Sequence, residues 1–170
     1  MHNAAQFSKN KFSLQFILLS LFALIIGSLF GVLAGFQYII PDFLKELLPF
    51  TKMRPFHDTL VISWIVLAAT GSIYFALSNI EGLKIFSPKL TKIHYYLFLI
   101  LGILIFISIG TGYMGGREYL AFIPILIFPI LLGWILFGYN YFKTVLSQVK
   151  NWPVYYWMWG TGIIFMIFHL

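Results

Sequence analysis

Apolar residues run along the chain in five long stretches, 12–40, 56–80, 93–115, 119–142 and 154–170, and polar residues gather between them. A helix needs about 20 mainly apolar residues to cross the hydrocarbon core of a bilayer. The pattern therefore predicts five transmembrane helices and an all-α, polytopic fold. The connections 41–55, 81–92, 116–118 and 143–153 carry almost everything polar. The first stretch is too long for the apolar region of a cleaved signal peptide, and no small-x-small site follows it, so it reads as a retained helix. No internal repeat or low-complexity tract interrupts what reads as one membrane domain over 1–170.

Composition narrows the class further. Of the 170 residues, 61% are hydrophobic, 20% aromatic and 9% charged. A soluble domain has about a quarter of its residues charged, and these few charges could not clothe one. A cytosolic enzyme, a disordered chain and a nucleic-acid reader are excluded, despite a net charge of +6. The absence of cysteine excludes a disulfide framework, a thiolate metal site, a thiol nucleophile and covalent c-type haem attachment.

Sorting charges by loop orients the chain. Lys9, Lys11, Lys84, Lys89, Lys92, Lys143 and Lys150 fall on one side with Glu81 as the only acid, giving net +6. Lys45, Lys52, Arg54 and Arg117 fall on the other with Asp42, Glu46, Asp58 and Glu118, giving net 0. The positive-inside rule puts the first side, with the N-terminus, in the cytoplasm. The high isoelectric point is thus a topology signal and calls for no acidic partner.

Two patterns concern packing. Gly27, Gly31 and Gly35 form overlapping G-x-x-x-G units on one helix face, a surface where a second helix approaches closely. Trp152, Tyr155, Tyr156, Trp157 and Trp159 suit an interfacial aromatic belt.

Four histidines are candidates for chemistry. His2 lies on a polar tail. His94 opens the third stretch beside Tyr95 and Tyr96 and reads as an interfacial side chain. His57 opens the second stretch on the outer side, and His169 ends the fifth at comparable depth. His57 and His94 are separated by most of the ~30 Å hydrocarbon thickness and cannot share a ligand. His57 is either interfacial or a metal ligand, since a neutral imidazole one turn into a helix can bind haem iron axially. Arg54, three residues earlier, offers a planar fork that suits a carboxylate such as a haem propionate.

The stretch Arg54-x-x-His57, followed by Trp64, Gly71 and Tyr74, resembles the second helix of the main subunit of haem–copper oxidases. Within that superfamily it is most similar to the nitric oxide reductase large subunit, with the cbb3-type cytochrome c oxidase subunit I a close relative. Gly116-Arg117-Glu118-Tyr119-Leu120 is similar to the Gly-Arg-Glu-(Phe/Tyr)-Leu motif of nitric oxide reductases, and Asn140-Tyr141-Phe142-Lys143-Thr144 is a weaker match.

The resemblance implies that His57 is an axial ligand of a low-spin haem b, that Arg54 and Arg117 lie near its propionates, and that Glu118 lies near a calcium ion. It implies an oxidoreductase of the inner (plasma) membrane, passing electrons from a cytochrome c-type or quinol donor to a binuclear centre that reduces O2 or NO. One position departs from the pattern: the reductases usually carry a second glutamate three residues after the first, where Ala121 stands here.

The family's main subunit has about twelve spans, so five imply its first part. The haem b3 ligands and those of copper or non-haem iron are expected only beyond Leu170, which predicts a chain incomplete at its C-terminus. Its partner would be the remainder of that subunit or a split partner, besides membrane lipid. Two other readings remain: a self-contained five-helix b-type cytochrome ligating haem through His57 and His169, and a haem-free scaffold or small transporter. Scarce intramembrane charge argues against a transporter.

Overall fold

A computed structural model describes residues 2–79, 83–148 and 150–170. Glu81, the one acid assigned to the basic side, lies outside them. Five helices follow in order: α1 (His2–Ile39), α2 (Phe50–Asn79), α3 (Pro88–Thr111), α4 (Ile127–Gln148) and α5 (Val154–His169). Between α3 and α4 lies an antiparallel hairpin of β1 (Met114–Arg117) and β2 (Leu120–Phe122), leading into a single 3-10 turn over Pro124–Leu126.

Four helical segments among the described residues are long and apolar enough to cross a membrane: Asn10–Ile39, Phe50–Asn79, Pro88–Thr111 and Pro124–Ser147. This corrects the expectation of five. Helix α5 forms over 16 residues up to His169 and is not one of these four.

The third and fourth spans are also displaced from their expected bounds. Helix α3 starts at Pro88 because Ser87 accepts a hydrogen bond from Leu90 N and proline occupies the first turn, where its missing N–H costs nothing. It stops at Gly112, whose φ of 85° closes the last turn in the left-handed region. The expected three-residue connection 116–118 is consequently the tip of a longer, folded segment.

The connections group at two ends. At one, Arg54 of α2 bonds Glu118 of the hairpin tip at 3.1 Å, and Lys52 donates to Gly110 O at 2.9 Å. At the other, Asn10 Nδ2 donates to Asn79 Oδ1 at 3.2 Å. There Asn140, fully buried on α4, clasps the 2–3 connection: its Oδ1 accepts from Ser87 N, and its Nδ2 donates to Ser87 O and to Thr91 Oγ1. Thr144, one turn on, accepts from Phe86 N. The loop amides of Phe86 and Ser87 are thereby satisfied inside an apolar bundle, where an unmade bond is expensive.

Candidate functional site

Helix α2 packs along α1 through the glycine face. A Cβ on Gly27 would stand 2.9 Å from Leu60 Cβ, and one on Gly31 would stand 2.6 Å from His57 Nδ1. At Gly35 nothing lies within 4 Å. Gly27 and Gly31 therefore seat α2, and Gly35, which completes the second unit, adds no contact of this kind.

The notch at Gly31 holds the His57 imidazole. His57 Nδ1 lies 2.8 Å from Gly27 O. A carbonyl oxygen can only accept, so Nδ1 carries the proton and donates it. In the neutral imidazole this leaves the Nε2 lone pair free, the form in which histidine ligates a metal with its other nitrogen committed to a carbonyl. Beside it, Phe56 stacks on Phe30 of α1 at 4.6 Å and meets Phe106 of α3 at the same distance. Three helices thus lock the turn that carries His57. The ring is held by Nδ1 and half-buried, with one ring nitrogen uncommitted.

Arg54 sits one turn before His57. Its guanidinium pairs with Asp58 at 3.5 Å and with Glu118 at 3.1 Å. Glu118 is presented by the hairpin tip, where Gly116 (φ 74°) and Tyr119 (φ 63°) both adopt left-handed backbone. Glycine tolerates that conformation, whereas a tyrosine there is strained by roughly 1–2 kcal/mol. Arg117 Nη2 donates to His169 O at 3.2 Å, placing a cation at the negative end of α5. Arg54, His57 and Glu118 therefore share one end of the bundle, as the charge sorting required. Among the described residues no three His, Asp or Glu side chains converge as a metal-binding cluster.

His169 borders a different space. A cavity of about 580 Å³ lies among α1, α2, α3, α4, the hairpin and the end of α5, lined by Ala23, Phe56, Thr59, Trp134, Phe122 and His169 among others. His57 does not line it; its ring turns toward α1. Thr59 Oγ1 is buried and has no hydrogen-bond partner among the described residues.

His94 is not interfacial. It is 1% exposed, with Nδ1 3.3 Å from Tyr74 Oη and with the rings of Phe98, Phe16 and Phe137 around it at 4.6–5.5 Å. The expectation failed because α3 begins at Pro88, which carries His94 two turns inside the helix. The polar cluster of Ser87, Thr91, Asn140 and Thr144 went unread as a unit; Asn140 entered only as part of a weak motif. The Ser87-Pro88 cap was the available signal, since it would have brought Thr91 and Asn140 to the same level.

Residues 11–170 match the family described as Cytochrome C and Quinol oxidase polypeptide I. Over 76 residues, 45% of this chain, the sequence is 37% identical to a nitric oxide reductase subunit of Stutzerimonas stutzeri. The matched stretch spans 16% of that relative's length.

Proposed function

The chain belongs to the cytochrome c and quinol oxidase polypeptide I family, the haem–copper oxidase main subunits, and from that premise we propose that His57 is an axial ligand of a low-spin haem b. The observation that carries the proposal is the Nδ1–H···O=C bond to Gly27, which commits one ring nitrogen and leaves Nε2 for iron. When bound, such a haem supplies a one-electron relay between an external donor and a second metal centre.

The chain's own part is to hold and orient. Gly27 O sets the tautomer and, by drawing on the Nδ1 proton, raises the donor strength of Nε2. Gly31 leaves room for the ring, and the Phe30–Phe56–Phe106 cluster fixes the helix turn. Arg54 and Arg117, at the same end, supply donors for propionate carboxylates; Glu118 holds the Arg54 fork in place. Glu118 is also the carboxylate available to a calcium ion at that surface.

The basic end faces the cytoplasm, and the His57 end faces the outer side of the inner membrane. The chain works with the remainder of a main subunit or a split partner, taking electrons from a c-type cytochrome or quinol for reduction of O2 or NO. The matched relative is part of a nitric oxide reductase, whereas Ala121 departs from the reductase pattern, so the acceptor is left as this pair.

The test is His57→Ala in the assembled protein. The low-spin haem absorbance and its magnetic signature are expected to vanish while the chain still inserts and accumulates. An unchanged low-spin spectrum would remove His57 from the haem.

A further inference from the structure

A groove of about 760 Å³ opens between α4 and α5 at the basic end of the bundle. Its walls are Leu146 of α4 and Ile164 of α5, both turned outward, with the hydroxyl side chains of Ser147 and Thr161 beside them. Its floor is Phe142, which approaches α5 closely because Gly160 has no side chain; a Cβ there would stand 3.1 Å from the ring. Its mouth is formed by Lys150, Trp152 and Trp157. The two indoles meet at 4.8 Å, and Trp152 stacks over Phe142 at 6.5 Å. Ile164 lies seven residues along α5 from Trp157, ~10 Å deeper.

The groove combines a cation, amphipathic indoles, two hydroxyls (Ser147 and Thr161) and the aliphatic Leu146 and Ile164. Lys150 is exposed and has no acidic partner among the described residues; the ion pairs found all lie at the opposite end. A soluble anion would satisfy the ammonium and leave the aliphatic walls bare. A neutral lipid would cover the walls and leave the cation uncompensated.

We propose that this groove holds an anionic phospholipid of the leaflet beside the basic end. Its phosphate accepts from Lys150 Nζ, its glycerol region lies against Trp152 and Trp157, and one acyl chain runs between Leu146 and Ile164. Indoles favour that interfacial level, and basic pockets between membrane helices are recognised headgroup sites. The proposal is independent of the haem assignment, because no residue in it belongs to the His57 end.

The test uses the assembled protein equilibrated with vesicles of equimolar dioleoyl phosphatidylglycerol and dioleoyl phosphatidylcholine. Retained lipid is then counted by mass spectrometry of the intact complex. One lysine near the surface should yield roughly a fivefold preference for the anionic lipid. Lys150→Gln should abolish the preference without changing the melting temperature. Lys89→Gln, at the same end but outside the groove, should keep it. Leu146→Trp, which fills the groove, should reduce retention of both lipids. The proposal is overturned if the wild type shows no preference, if the preference survives Lys150→Gln, if Lys89→Gln removes it equally, or if Leu146→Trp leaves retention unchanged.

Discussion

Replacing Gly31 by alanine should be far more damaging than the same change at Gly35. The added methyl at position 31 would stand 2.6 Å from His57 Nδ1 and 2.8 Å from Cε1, against an ordinary contact beginning near 3.4 Å. The imidazole, or α2 with it, must then retreat by about 0.8 Å, the difference between those contacts. A shift of that size strains or breaks the 2.8 Å bond to Gly27 O. Overpacking of this kind costs about 1–3 kcal/mol, and the lost bond adds about 0.5–1.5 kcal/mol. A combined loss of about 1.5–4.5 kcal/mol is expected. At Gly35 nothing lies within 4 Å, and alanine is the better helix former by up to ~1 kcal/mol, so Gly35→Ala should be neutral or mildly stabilising. Reversible unfolding in mixed detergent micelles gives both values, and the low-spin haem spectrum of the assembled protein reads the same substitutions at the ligand. Equal behaviour of the two variants would refute the notch. A destabilised Gly31→Ala with an unperturbed haem signal would keep the packing and refute the tie to the haem.

Asn140→Leu should cost about 2–4 kcal/mol, because an apolar side chain of similar size leaves Ser87 N, Ser87 O and Thr91 Oγ1 without the partners that Asn140 supplies; a melting temperature within error of the wild type would contradict the clasp. The Arg54–Glu118 pair, with side chains 56% and 64% exposed, should show a coupling below ~1 kcal/mol in a double-mutant cycle, so a larger coupling would mean that the hairpin tip depends on this ion pair for its stability.

Several elements were legible in the residues because the bilayer constrains them one at a time. Apolar length sets whether a helix spans, and that reading held for α1 to α4. Helix α5, with 16 residues up to His169, is not among the four segments that meet it. Sorting of charge grouped the 1–2 and 3–4 connections, and Arg54 does meet Glu118. The hairpin went unread because hydropathy runs through 93–115 and 119–142 almost without a break. The punctuation lay in single residues instead: Ser87 and Pro88 at one end of α3, Gly112, Gly115 and Gly116 at the other.

By itself, then, the sequence determined a membrane-spanning α class, the loops that share an end, and the motifs that carry the family resemblance. Each follows from lengths, charges or residue order, which need no knowledge of neighbours. Only the tertiary structure decided which faces meet: that His57 turns its ring into the Gly31 notch, that Gly35 lies idle, that His94 is buried among rings, and that His169 borders a separate cavity. All of these depend on the rotation of each helix about its own axis. In a soluble protein an apolar stripe announces that rotation. Here α1, α2 and α3 are apolar all round, and lipid is as good a neighbour for leucine as another helix. The facing surface is therefore selected by small notches and a few hydrogen bonds, which exist only once two helices are together.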